Sequence, residues 1–203
     1  MTTFYLIRHG SNDFFNHTLV GRTPGVHLND AGNREADELA RALAGENIQK
    51  ILTSPMERCR ETAAPLSEKI KIPVEISNAL IEVDFGDWTG KKFKDLDASE
   101  DWRRWNTFRS GNRVPKGEGM LQIQQRMVGL VLDLHRDFRG QRIALFSHGE
   151  PLRAALIYFL GAPLECIRRI DISPASVTIL QLSDWEAQFR CLNRRFGQSS
   201  LLD

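Results

Sequence analysis

Three short apolar runs end in the same kind of residue, and that recurrence limits the fold more than any other feature. Phe4 to Ile7, Ile51 to Thr53 and Ile143 to Phe146 are continuous rather than alternating. Such runs mark strands covered on both faces, as in a parallel sheet. The first leads into Arg8-His9-Gly10 and the last into Ser147-His148-Gly149. The second leads into Ser54, with Arg58 one turn into the next helix. Val74 to Ile76 is a further short strand, and Val177 to Leu182, rich in β-branched residues, is the expected last one. Helical spacing separates them: Ala36, Leu39, Ala40 and Leu43 within 31–44, then Ile123, Met127, Leu130, Val131, Leu134 and Phe138 from Met120 onward. Strands alternating with helices predict an α/β domain with three layers, a mostly parallel sheet covered on both faces.

The length of 203 residues suits a single domain, 1–203, with a lid or insertion at about 82–117, where Gly, Trp and mixed charge replace the apolar period. Hydrophobic residues make up 41% and charged residues 26%, which excludes a disordered chain, a collagen and a disulfide miniprotein. The 27 basic and 26 acidic side chains leave a net charge of +1, so nothing global favours nucleic acid or an anionic membrane as a partner. Three cysteines without CxxC or metal-ligand spacing point to a reduced chain with no metal site. With no signal peptide at the start and no apolar stretch of about 18 residues, a cytoplasmic protein is expected. The polar tail after Phe196 is expected to fray.

In an open α/β sheet the carboxyl ends of the parallel strands face one crevice. Arg8, His9, Arg58 and His148 therefore converge there despite their separation in sequence. Two guanidiniums and two imidazoles around one point suit a dianionic phosphoryl group. Helix N-termini at the same edge add N–H donors. Gly10 and Gly149 let backbone approach the anion. A neutral imidazole is a nucleophile near pH 7. Fixed arginines stabilise the charge on the equatorial oxygens of a phosphoryl group in transfer. The departing alkoxide then needs a proton, and Glu82, opening Glu82-Val83-Asp84-Phe85-Gly86-Asp87-Trp88-Thr89-Gly90, is the candidate donor.

At this point the sequence resembles a known family, the histidine phosphatase superfamily with its phosphoglycerate-mutase-like fold. Leu6-Ile7-Arg8-His9-Gly10 is similar to its signature. Asn16 and Gly21 fall where the family has Asn and Gly, and Leu28-Asn29-Asp30-Ala31-Gly32 resembles its next helix start. Ser54-Pro55-Met56-Glu57-Arg58-Cys59-Arg60-Glu61-Thr62-Ala63 resembles its second block. The Glu82 segment and Ser147-His148-Gly149 follow in the expected order, so the resemblance covers about residues 4–182. It implies His9 as the nucleophile that becomes phosphohistidine. It implies Arg8, Arg58 and His148 as phosphoryl ligands, and Glu82 as the acid that later activates water. It implies a substrate or phosphate contact for Asn16, and neither metal nor organic cofactor. Ser11-Asn12 replace the usual Glu-Thr, which bears on substrate contacts. Gly117-Glu118-Gly119 replace Gly-Glu-Ser, which removes a possible helix cap and leaves Glu118 without a carried-over role.

The expected activity is metal-independent hydrolysis of a small phosphomonoester. Two alternatives stand beside it: a phosphoglycerate-type mutase and a non-catalytic phosphate-binding protein. Phe85-Gly86-Asp87-Trp88-Thr89-Gly90-Lys91 resembles the phosphatase branch, and no pocket residue is lost. Capping alone explains Ser54, Glu57, Ser147 and Glu150. Cys59 reads as packing. Arg22 has two readings, a substrate contact or a solvent-facing loop residue. Trp102-Arg103-Arg104-Trp105, with Arg109, Arg113 and Lys116, reads as an amphipathic lid helix over the pocket, since acidic neighbours dilute any nucleic-acid patch. Val177 to Leu182 is either an edge strand or the seam of a homodimer.

Overall fold

A computed structural model describes residues 1–197. The tail expected to fray lies, from Gln198 onward, outside the described residues. Six strands, β1 (Thr2–Arg8), β2 (Lys50–Thr53), β3 (Val74–Ile76), β4 (Arg142–Ser147), β5 (Val177–Leu182) and β6 (Ala187–Arg194), form one sheet in the order β3-β2-β4-β1-β5-β6. The first four in that order run parallel, while β5 runs antiparallel to β1 and β6 antiparallel to β5. Mixed α/β architecture with a mostly parallel sheet is therefore what the chain adopts. Phe4, Ile7, Ile51, Ile143, Leu145 and Phe146 are fully buried, as continuous apolar strands in a covered sheet must be.

Helices α1 (Asp30–Leu43) and α2 (Glu57–Ile70) pack together on one face, where Leu39, Leu43, Ala63 and Leu66 meet Tyr5, Ile7, Ile51 and Phe146. The other face takes α5 (Met120–Asp137) and α6 (Gly149–Phe159), whose Met127, Val131, Leu134, Leu152 and Leu156 meet Phe4, Leu6, Ile143 and Leu145. Alternate side chains of each strand thus feed different layers. Asn29 caps α1, its Oδ1 accepting from the Gly32 N–H at 2.9 Å.

Three expectations need correction. Val177–Leu182 is neither edge nor seam, because β1 flanks it on one side and β6 on the other. The edge is β6, whose side chains alternate between half-buried and exposed, with Phe189 and Cys191 on the inner side. Its exposed Leu192 breaks the period-2 pattern that would have revealed it. Second, residues 82–117 are not stripped of core. Here α3 (Phe93–Leu96) and α4 (Glu100–Thr107) bury Leu96 and Trp105 with Val83, Phe85, Trp88 and Val114 against Met120, Ile123 and Ile157. Aromatic packing replaces an aliphatic period, and Trp88 meets Trp102 and Trp105 edge-on.

Third, the helix starts after β2 and β4 are not capped by their serines. Met56 and His148 occupy the N-cap positions, with no side-chain cap bond. The Ser54 hydroxyl lies 2.8 Å from His148 Nε2, and Ser147 donates to the Leu80 carbonyl at 2.7 Å. Glu57 accepts from the Gly25 N–H at 3.1 Å, and Glu150 pairs with arginines. Long-range partners thus engage all four side chains, and the local bond that Ser54 keeps, accepting from the Met56 N–H at 3.3 Å, is not an N-cap.

Candidate active site

The carboxyl ends of β1, β2 and β4 open on a cavity of about 580 Å³ lined by Arg8, His9, Arg58, Glu82 and Gly149 among others. Backbone bonds fix the turn after β1: His9 N–H donates to Ser147 and Ala175 N–H donates to His9, at 3.0 and 3.1 Å. Gly10 N–H donates to Thr62 Oγ1 at 2.9 Å, and that hydroxyl donates to the Arg58 carbonyl at 2.6 Å. One threonine of α2 thus ties the histidine turn to the helix carrying Arg58. The following loop is held by Glu35, whose carboxylate accepts from both the N–H and the hydroxyl of Ser11.

His9 is 5% exposed, and its Nδ1 lies 2.8 Å from the Gly10 carbonyl. A carbonyl can only accept, so Nδ1 carries the proton and Nε2 keeps its lone pair. Burial, then the charges of Arg58 and Arg8, hold this imidazole well below its ordinary pKa. It is neutral at physiological pH.

His148 is fully buried, its ring edge-on to His9 with centroids 5.2 Å apart. Arg58 Nη2 lies 3.1 Å from its Nδ1, and Ser54 Oγ lies 2.8 Å from its Nε2. Arginine only donates, so Nδ1 accepts and Nε2–H donates to the serine. Burial and Arg58 also hold His148 well below the usual histidine range. Cys59, fully buried beside it, is pushed up to about 12 by burial and remains a thiol, in keeping with a packing role.

Arg58 is 1% exposed and donates through Nη2 to the Gly21 carbonyl at 2.9 Å. Its Nε and Nη1, with Nε of Arg8, are buried and have no hydrogen-bond partner among the described residues. Buried donors are almost always paired, so three together define an anion-shaped demand. Arg8 also donates to the Ile172 carbonyl at 2.5 Å, and its guanidinium lies over the Phe15 ring. Burial, with Arg153 nearby, lowers it to about 10, which still leaves it charged.

Glu82 follows a 3₁₀ turn (Asn78–Leu80) and lies in irregular backbone. Its Oε1 accepts from the Val83 N–H at 2.8 Å, and its Oε2 lies 3.8 Å from His148 Nδ1. Burial raises its pKa, against the opposing pull of Arg58. A carboxyl raised in this way keeps its proton to higher pH than an ordinary carboxylate, while the depressed His9 loses its own at lower pH than an ordinary histidine.

The structure gathers Arg8, His9, Arg58, His148, Glu82 and Gly149 at one place. Asn16 lines the cavity in a left-handed conformation (φ 61°) and is exposed. Arg22 does not line it: its Nε donates to the Glu82 carbonyl at 2.9 Å and its Nη2 to Glu118 at 2.6 Å. Both readings made from sequence, substrate contact and solvent-facing residue, give way to that commitment.

Of three further lining residues, Arg153 lay outside the sequence expectation, while Arg109 was read with the lid segment and Glu150 as a cap. Arg109, 3% exposed, donates to Glu150 at 2.9 Å and stacks on Trp105. Glu150 also meets Arg153 at 3.2 Å. Burial pushes the Glu150 carboxyl up, but Arg109 and Arg153 outweigh it and hold it below the carboxylate range. No local motif announces a pair separated by 41 residues. Among the described residues, no group of three His, Cys, Asp or Glu is arranged to hold a metal, and no helix is long and apolar enough to cross a membrane.

The model of the histidine phosphatase superfamily (branch 1) matches residues 4–195. The chain belongs to that superfamily. This histidine phosphatase is 26% identical over 189 residues to phosphoserine phosphatase 1 of Hydrogenobacter thermophilus, covering 91% of this chain and 88% of the relative. It is 30% identical over 195 residues to a probable phosphoglycerate mutase of Cronobacter sakazakii, covering 92% and 89%. A solved structure of a putative alpha-ribazole-5'-P phosphatase from Escherichia coli superposes with a TM-score of 0.86 at 26% identity, over 96% of this chain and 97% of that one. The phosphoglycerate-mutase-like fold is thereby the fold of this chain, and the enzyme is of the phosphatase type.

Proposed function

We propose that this enzyme hydrolyses phosphomonoesters of small metabolites through a phosphohistidine on His9. The carrying observation is the neutral His9, its Nε2 lone pair free, beside three buried guanidinium donors without a partner among the described residues. His9 Nε2 attacks phosphorus while the bond to the ester oxygen breaks. Arg8 and Arg58 hold the equatorial oxygens. Glu82 gives its proton to the departing alkoxide. As a carboxylate it then takes a proton from water, whose oxygen attacks phosphorus and releases inorganic phosphate and free His9. A bound dianion offsets the charges that depress His148, so His148 can take up a proton and join the phosphoryl ligands.

The cavity far exceeds a phosphate group, and its outer wall carries Phe14, Phe15, Phe93 and Trp102 beside Asp97 and Asp171. That wall suits an alcohol with an apolar body and polar substituents. Residues 82–117 supply much of it, which supports the role of a cover over the leaving group. The names of relatives, phosphoserine phosphatase and alpha-ribazole-5'-P phosphatase, mark the scale of substrate to try first.

Acid-quench labelling tests the reading: substrate labelled in phosphorus leaves acid-labile label on the wild-type protein and none on His9→Ala. Full turnover by His9→Ala would overturn it. The relative named as a mutase keeps phosphoryl return to a sugar acid as the second reading. Interconversion of phosphoglycerates, primed by the diphosphate, that outruns phosphate release would decide for it.

A further inference from the structure

Glu82 is the one reacting group that no strand or helix positions. Its carbonyl oxygen nevertheless receives two guanidiniums: Arg22 Nε at 2.9 Å from the loop after β1, and Arg126 Nη2 at 3.3 Å from α5. Arg126 also donates to the Ala79 carbonyl at 2.6 Å, one turn upstream. Both arginines converge on Glu118, whose Oε2 lies 2.6 Å from Arg22 and 3.6 Å from Arg126. The same oxygen accepts from the Asp84 N–H at 3.0 Å.

The backbone doubles this clamp. Glu118 N–H donates to the Asp84 carbonyl at 3.0 Å, and Asp87 N–H to Pro115 at 3.0 Å. Contact is so close that a Cβ on Gly117 would meet the Asp84 oxygen at 2.2 Å. One on Gly86, at φ +41°, would meet the Pro115 oxygen at 2.1 Å. Gly21, next to Arg22, gives its carbonyl to Arg58.

We infer that Glu118, acting through Arg22 and Arg126, is a positioning residue that fixes the Glu82 carboxyl against the leaving oxygen. The inference rests on the proposed phosphatase reaction. All three side chains are largely shielded, with exposures of 22%, 32% and 18% for Glu118, Arg22 and Arg126. Arg22 and Arg126 each bond the Glu82 carbonyl and approach Glu118 Oε2 from a different segment, so removal of one loosens the others. A displacement of about 1 Å in a reacting group can cost roughly 100-fold in rate.

Leaving-group chemistry separates positioning from plain structural support. Nitrophenolate departs without a proton, whereas an alkoxide needs one. The kcat/KM value covers only the steps through phosphohistidine, so the later water step does not blur the comparison. Wild-type, Glu82→Gln, Glu118→Ala, Glu118→Gln and Arg22→Met enzymes are assayed with p-nitrophenyl phosphate and with glycerol phosphate. Glu118→Ala and Arg22→Met are expected to lose roughly 10- to 100-fold in kcat/KM on glycerol phosphate and less than about threefold on the aryl ester. Glu118→Gln, which keeps an acceptor oxygen, is expected to recover part of the loss. Glu82→Gln sets the upper limit of the selective effect.

Equal losses on both esters, or no loss on glycerol phosphate, would overturn the inference while the phosphatase reading stands. If the unaltered enzyme hydrolyses neither ester, both fall. If Glu118→Ala does not fold, the Gln and Met variants carry the same decision.

Discussion

The floor and the wall of this cavity are built by different means. Arg8 and His9 ride on the end of β1, His148 on the end of β4, and Arg58 on the first turn of α2. Ladder bonds and buried strands fix that floor, and β1 and β4 pair in register from Thr3↔Arg142 to Arg8↔Ser147. The wall carries Glu82 on irregular backbone, held from behind by Arg22 and Glu118, side chains that reach across the chain. Charge is thus fixed by the sheet, and the proton donor by a clamp. The floor has little room to adapt, since a change there disturbs the core. The wall can vary its loops and so its leaving group while the same floor binds phosphate.

The largest effect should come from the floor. His9→Ala should lower turnover on the order of 10⁵- to 10⁶-fold, the scale seen when a nucleophile is lost, with the acid-labile label gone. A smaller loss than for any wall variant would break the contrast. Next, Arg58→Met should cost about 100- to 1,000-fold in kcat/KM on aryl and alkyl esters alike, because phosphoryl oxygens are common to both. Leaving-group selectivity in that variant would mean that the two regions are not separate.

Glu82→Gln should cost roughly 100- to 1,000-fold on alkyl esters, and its pH profile sharpens the distinction. The depressed pKa of His9 places its protonation below the ordinary histidine range, so activity should fall only as pH drops beneath that range. The raised pKa of Glu82 places the basic limb above the ordinary carboxylate range, since the acid must be protonated to work. Rate profiles of kcat/KM on an alkyl ester should therefore be bell-shaped, and Glu82→Gln should remove the basic limb alone. Persistence of that limb would assign the proton to another group.

Among these changes, Arg109→Met should affect chemistry least and stability most. It leaves the half-buried Glu150 with only Arg153, at a cost of about 1 to 3 kcal/mol in denaturant unfolding. An unchanged midpoint would show that Arg153 suffices.

Floor residues were legible before any coordinates because each follows an apolar run, and parallel strands bring such ends together. Wall residues were only half legible. Glu82 was singled out as an acid that the chemistry requires, but Arg22 gave no hint of its target. Glu118 reaches the Asp84 N–H across 34 residues, a bond with no sequence period to betray it. Ser54 and Ser147 misled for the converse reason: their local capping pattern was genuine, yet a buried histidine and a carbonyl offered partners that solvent-exposed caps could not match. The edge strand β6 escaped because an exposed leucine interrupts its alternation.

By itself the sequence determined the layered α/β fold and the cluster of Arg8, His9, Arg58 and His148, since hydrophobic period and strand polarity are local properties with global consequences. Tertiary structure alone decided which protons those groups hold, what clamps Glu82 and how Arg109 and Glu150 share the cavity wall. Protonation and clamping depend on burial and on distances between segments far apart in the chain, and those exist only once the chain has folded.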